Sequence, residues 1–407
     1  MSGRIQQYIL DGSIENKDSE EKFETSENYL TKNPEITFFR KSYKQHGRLA
    51  VESIRHDLTG RVEWGSTVTI NLQRGKADLL TKLYVELVVK KENASASSEG
   101  ANTPPLAGYR IIEYVELKIS NEVIDRHYGK WMELWSQLTV PEDQKAAHDN
   151  LVQGYIKNDD GDDIETPRWE KIGDRLLVPL HFWFCRNAGL ALPLVALSDG
   201  AVEIIVKFVE KDDYNTNGPD IFHAQIFADH IFLSDAEEAK FEKFEIVRKY
   251  LIDQVQLPLA THDVVSLPLV NKTFTFALNH PVKELIWGLW DDNNKEWINK
   301  ITSAVILIDG VKRFEERDGD YFRIVQPFQY HTSSNSLTNA YVYSFAIEPE
   351  AAEQPTGFAN LSNITTVSLR LSTDINTSLQ NIQLWIFALN INMFNVVSQA
   401  GSLEFAT

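Results

Sequence analysis

Residues 176–197 read LLVPLHFWFCRNAGLALPLVAL, and the fold turns on how this stretch is understood. Two apolar runs flank a polar pair, Arg186-Asn187, with Gly189 just beyond it. Leu176 to Phe184, Phe182 included, is apolar enough for a buried strand. Pro179 has no N–H to give a ladder, so that strand must sit at a sheet edge or carry a bulge. Arg186, Asn187 and Gly189 predict a turn, and Pro193 interrupts the run that follows. The expectation is two buried β segments joined by a tight loop. Cys185 falls inside the run as a small packing residue. It is the sole cysteine of the chain, so neither an internal disulfide nor a CxxC zinc site can form. That usage suits a reducing compartment.

Outward from this stretch, alternation with period two recurs. Val68, Ile70 and Leu72 share one face of a strand, as do Val115, Leu117 and Ile119. The same holds for Val202, Ile204, Val206 and Phe208, for Phe274 and Phe276, and for Val367, Leu369 and Leu371. Such strands bury one face and wet the other. Many of them, separated by turn residues, predict an all-β protein of sandwiches. Leu83–Val89 and Ile382–Ile391 are apolar on both faces, which predicts strands covered by a second layer or by a neighbouring subunit. Helices are few. Trp131, Leu134, Trp135 and Leu138 mark one helical face, expected to pack on a sheet. Ser234 with Glu237 forms a capping box opening a second helix, with Phe241 and Phe244 as its buried stripe. This divides the chain into an acidic arm (1–28), a first β half (29–234), a connecting helix (235–245) and a second β half (246–407). The halves echo one another: Ile54 precedes Leu83 much as Ile252 precedes Leu285.

The 407 residues carry 58 Asp and Glu against 40 Lys and Arg, a net charge of -18. That balance opposes a phosphate-binding surface, since nucleic-acid affinity comes chiefly from basic side chains. Met1–Leu10 has no apolar core behind a basic start, so no signal peptide is expected. No run approaches the roughly 20 apolar residues that span a bilayer. Phosphate loops, dinucleotide fingerprints, GxSxG elbows and HExxH helices are missing from the sequence. Asn158–Asp163 is rich in oxygen ligands but fails the EF-hand spacing, because Pro167 stands where the bidentate Glu belongs. His148-Asp149 and His262-Asp263 are candidate acid/base pairs. Neighbours in a strand point to opposite faces, so neither pair need touch, and both read as surface polar residues. The sequons at Asn93, Asn271, Asn360, Asn363 and Asn376 are read as unmodified. No catalytic residue, cofactor or metal is assigned.

The run at 176–197 resembles a stretch of the major capsid proteins of nucleocytoplasmic large DNA viruses. Other segments follow in the order of that family. Tyr29–Arg40 contains Asn33, Pro34, Phe38 and Phe39, and leads to Glu52 and Ser53 in Val51–Ile54. Ala228–Leu233 closes the first half, and Tyr250–Gln256 opens the second. Then come Asn279–Trp287 with His280 and Pro281, Tyr321–Pro327 with Gln326 and Pro327, Ser344 and Phe345, and Gln354-Pro355-Thr356-Gly357. The resemblance implies two consecutive eight-stranded antiparallel jelly rolls, with a few short helices in loops and at the junction. It implies a homotrimer of near-hexagonal outline that tiles an icosahedral virion shell, assembled in the host cytoplasm. Neighbouring capsomers, minor capsid or cement proteins and an internal membrane are the implied partners, without direct nucleic-acid binding. The chain is then no enzyme, and Arg186-Asn187 is a turn or subunit contact. Asp11–Asn28 departs from the family as an acidic insertion, and the short loops imply small outer towers. A minor-capsid or scaffold paralogue would carry the same motifs. A carbohydrate-binding jelly roll would use the Trp131/Trp135 face or the aspartate loop.

Overall fold

Alternating segments pair into antiparallel ladders along the chain. The computed structural model describes residues 33–41, 43–72, 77–90, 107–152, 155–157, 163–167, 175–197, 201–214, 220–241, 247–258, 264–333 and 339–405. It separates into two units, Met1–Gly47 and Arg48–Thr407. In the first unit the described residues form no helix or strand; Asn33 is left-handed (φ 59), and Phe38 and Phe39 are exposed in a turn.

The second unit begins with β1 (Leu49–Asp57), β2 (Thr67–Leu72), β3 (Leu79–Lys90), β4 (Ile112–Ile119) and β5 (Glu122–Tyr128). It continues with β6 (Tyr155–Lys157), β7 (Asp163–Pro167), β8 (Arg175–Pro179), β9 (Val202–Phe208) and β10 (Asp220–Leu233). Sheet I has the order β1-β10-β3-β8 and sheet II the order β2-β9-β4-β5. Between them lies a core that includes Leu83, Val85, Leu87, Val115, Ile204 and Ile226. Each such side chain removed from water contributes about 1.5–3 kcal/mol. Helices α1 (Ala107–Ile111), α2 (Gly129–Thr139), α3 (Glu142–Val152), α4 (Trp183–Arg186) and α5 (Lys211–Tyr214) fill the connections.

After helix α6 (Asp235–Phe241) the pattern repeats. The strands are β11 (Arg248–Gln256), β12 (Val264–Val265), β13 (Lys272–Phe276), β14 (Pro281–Asp291), β15 (Glu296–Ile298), β16 (Ile301–Ile308) and β17 (Val311–Lys312). Then come β18 (Arg317–Asp318), β19 (Tyr341–Ser344), β20 (Ala359–Asn360), β21 (Val367–Thr373), β22 (Ile382–Val397) and β23 (Ala400–Leu403). In sheet III β11-β22-β14 continues onto β19, with β15 and β20 pairing further along β14. Sheet IV runs β13-β21-β16-β17. Leu285, Trp287, Leu289, Ile306, Leu369 and Ile386 belong to the core between them. A π-helical turn, Tyr321–Val325, passes into α7 (Gln326–Tyr330). The architecture is two consecutive jelly rolls, all antiparallel.

Several expectations meet a different outcome. The strand in the 176–197 stretch is only Arg175–Pro179, at the edge of sheet I as Pro179 requires. Beyond it the chain makes a helical turn (α4) and two 3-10 turns, Ala188–Leu190 and Leu194–Ala196, rather than a second strand. A run buried from both sides carries no period to separate strand from turn. His148-Asp149 lies in α3, not a strand, and the two side chains do meet, at 3.3 Å. The Tyr109 hydroxyl also reaches His148 (2.9 Å) and His181 (3.1 Å). Helix α6 starts where expected, with the Glu237 amide donating to the Ser234 carbonyl at 2.8 Å. It has no fully buried residue, and Phe244 lies outside the described residues, as do the arm 1–28, His262-Asp263 and Asp159–Asp162. The doubly apolar strand Ile382–Ile391 is covered on both faces, one side by the core of its own roll and the other by the first roll.

Candidate functional site

The richest cluster of buried charge lies where the two rolls meet. Asp253 sits on β11, among apolar neighbours of the segment YLIDQVQ, and takes two cations. Arg186 Nη1 donates to its Oδ2 at 3.1 Å, and Lys283 Nζ reaches both carboxylate oxygens, at 3.2 and 3.0 Å. Lys283 also donates to the Ala351 carbonyl at 2.9 Å and is fully buried. Helix α4 aims Arg186: its Nε donates to the His181 carbonyl at 3.1 Å, and its guanidinium lies 4.6 Å from the Trp135 ring centre. Burial pushes the Asp253 carboxyl up, while Lys283 and Arg186 pull it back. Beside Arg186, Asn187 donates to Glu353 and accepts the Gly189 amide at 2.6 Å.

A second buried group joins the same face. His331 contacts Glu284 at 3.0 Å and Glu350 at 2.9 Å, edge-on to Trp135. Burial alone would lower the imidazole, but the Glu284 and Glu350 carboxylates outweigh it and raise it to about 9. Helix α2 brings further contacts. Lys130 lies over Trp290 (4.7 Å) and Trp385 (4.2 Å), and burial lowers its ammonium to about 8. Arg110 grips Glu133 at 2.6 Å and donates to the Lys295 carbonyl at 2.8 Å. Asp125 accepts the Val255 amide at 3.1 Å, and the Gln254 side chain donates to the Ile124 carbonyl. At this junction Asp253, Arg186, Lys283, Glu284, His331, Arg110 and Glu133 each face an opposite charge, as desolvated charges require.

This arrangement holds two bodies together. Among the described residues no group of three or more His, Cys, Asp or Glu side chains could hold a metal ion, and no helix is long and apolar enough to cross a membrane. Burial pushes the Cys185 thiol up to about 12, which disfavours the nucleophilic thiolate. Trp131 and Trp135 are buried at the junction, so that face is no sugar platform.

The remaining sequence-marked residues fall into local groups. Phe182, Phe184 and Pro193 are buried around α4, and Pro179 ends β8. Glu52 and Ser53 are exposed on β1. His280 is buried and left-handed (φ 66), and its amide donates to Ser362 at 3.1 Å just before Pro281 opens β14. Gln326 accepts the Ser344 amide at 3.0 Å, Pro327 is buried beside it, and the Phe345 amide donates to the Lys283 carbonyl at 2.8 Å. Gly357 (φ 142) packs its backbone against the Phe345 carbonyl, a position a side chain would strain. Gln354 and Pro355 belong to the loop leading there. The junction therefore gathers Arg186 and Asn187. Sequence reading had not singled out Asp253, Lys283, Glu284, His331 or Glu350. For Asp253, Lys283 and Glu284 the signal is charge inside otherwise apolar strands, as in Val282-Lys283-Glu284-Leu285, whereas His331 and Glu350 lie outside strands.

The charged interior of this doubled jelly roll serves the packing of one roll on the other. Residues 37–234 match the family described as major capsid protein N-terminus. Residues 242–402 match the large eukaryotic DNA virus major capsid protein family. The major capsid protein of Pyramimonas orientalis virus is 32% identical over 404 residues, covering 93% of this chain and 96% of that one. That of Paramecium bursaria Chlorella virus 1 is 29% identical over 447 residues, covering 93% and 96%. A quasi-atomic model of the PBCV-1 virus capsid superposes with a TM-score of 0.77 at 25% identity, over 91% of this chain and 100% of that chain. The chain belongs to the major capsid proteins of large eukaryotic DNA viruses. It is a structural component of the virion capsid and not an enzyme.

Proposed function

We propose that three copies of this chain form a homotrimeric capsomer of near-hexagonal outline, and that such capsomers tile an icosahedral shell. The observation that carries this reading is the repetition of one jelly roll within a single unit. Three chains then supply six similar bodies around an axis. A closed ring satisfies a head-to-tail contact that would otherwise polymerise. The halves are assigned to 29–234 and 246–407, joined through 235–245. The arm 1–28 is assigned to contacts with minor capsid or cement proteins and an internal membrane, and assembly to the host cytoplasm. The family-signature side chains act in packing and in contacts between rolls.

Light scattering on purified protein at micromolar concentration tests the core of this reading. The expected mass is three times 46.5 kDa, with near-hexagonal particles in negative stain. A monomer would overturn it. Copy number in purified particles separates a face-building protein from a minor or scaffold paralogue.

A further inference from the structure

The central ladders of the two rolls align residue by residue. Ladder β10–β3 shifts register between Asp229 and His230, and β22–β14 shifts between Leu389 and Asn390. Setting these shifts together places Leu83, Val85 and Leu87 on Leu285, Trp287 and Leu289, and Ile226 and Ala228 on Ile386 and Ala388, all of them core residues. The hairpins agree as well. Ser120-Asn121 and Asp309-Gly310 both turn with positive φ (51 and 68; 46 and 79). Each hairpin is followed by a glycine, Gly129 or Gly319, whose backbone presses on the carbonyl of the first hairpin residue, Ile112 or Ile301. A helical segment follows each glycine: α2 in the first roll, Tyr321–Tyr330 in the second.

The equivalence has one visible break. In the first roll α2 and α4 are seated on the outer face of sheet III, against Trp290, Trp385 and Asp253. In the second roll the matching helix turns Phe322 to its own core but leaves Phe328 72% exposed, with Ile324 and Val325 exposed beside it. Ile347, in the segment that follows β19 as α4 follows β8, is also 72% exposed. On the matching face of sheet I, Ile231 packs with Leu79 and Ala191, but the strand-β1 end of the face is open. Val51 pairs with Ile231 and Asp253 with Ile391, so Val51 stands where Asp253 stands. Val51 is 61% exposed and Leu49 58%. Each apolar surface is the counterpart of one side of a contact already made within the chain.

We propose that these two surfaces bind each other between copies: the Tyr321–Tyr330 segment and Ile347 of one chain seat on Val51 and Leu49 of the next, head to tail. The inference rests on the trimer reading and names the contact that builds it. The contact is apolar where its intrachain counterpart is ion-paired, because Val51 replaces Asp253. Added salt screens exposed charge pairs and leaves apolar contacts standing, so the trimer should persist in molar sodium chloride.

The test uses V51D and F328D in the full chain. Both positions are exposed, so each variant should keep the thermal midpoint of monomeric chain. Each alone should associate more than about tenfold more weakly than the wild type. An equimolar mixture should form dimers that do not close, since one intact surface from each chain remains. Chains that failed to fold could not complement in this way. Wild-type trimers with both variants still trimeric would overturn the inference while leaving the trimer reading standing. A mixture that stays monomeric would also overturn it. A monomeric wild type would overturn the trimer reading and this contact together.

Discussion

At the scale of residues, Asp253 is the pivot. It neutralises Arg186 from the first roll and Lys283 from the second. Removing one partner of a buried pair leaves a charge stranded, at a cost of about 3–5 kcal/mol. Asp253→Ala strands two cations and should lose at least that much in urea unfolding. Arg186→Ala keeps the Lys283 pair and should cost less, about 2–3 kcal/mol; an unchanged midpoint would contradict the role given to Arg186. His331 adds a pH dependence. Its folded value, about 9, lies above the unbound 6.5. Its stabilisation is therefore complete below pH 6.5 and lost as pH rises through 9. The loss is on the order of 3 kcal/mol. A His331→Gln protein should show a flatter stability profile across that window in chemical denaturation. Arg186 was legible in the sequence because a cation inside an apolar run demands an explanation. Its partner was not, because no local pattern records which distant carboxylate will meet it.

At the scale of elements, the hairpin-to-helix corners set the shape of both rolls. A methyl group on Gly129 or Gly319 would overlap the Ile112 or Ile301 carbonyl. Backbone cannot move aside cheaply there, so Gly129→Ala and Gly319→Ala should each lower the melting midpoint by several degrees, corresponding to about 1–3 kcal/mol. Calorimetry on either variant with an unshifted midpoint would count against this role. Strands with one wet face, such as β2 and β9, announced themselves by alternation. The α4 region did not, because Phe182, Trp183 and Phe184 are all buried and their apolar run has no period. The echo between halves pairs Leu83 with Leu285, and the ladders agree. Ile54 aligns with Gln256 rather than Ile252, since their partners are Ala228 and Ala388.

At the scale of the whole molecule, the two rolls share one interior. Phe387, Leu389 and Trp290 of the second roll join the core cluster of the first. Residues 247–407 expressed alone would bare that face, and should aggregate or remain partly unfolded in gel filtration. The intact chain should melt in a single calorimetric transition; two separated peaks would mean that the junction does not couple the rolls. Two β halves could be read from strand patterning, and the family resemblance supplied their jelly-roll topology. Their junction could not, because it is written in side chains from seven different strands and helices that only the fold assembles. The join between the rolls has a kinetic consequence. Folding makes it at the effective concentration of tethered partners, on the order of millimolar for a short connection. In a ring of three such chains, half of the roll-to-roll contacts are therefore complete before any two molecules collide, and capsomer assembly depends on chain concentration only through the other half.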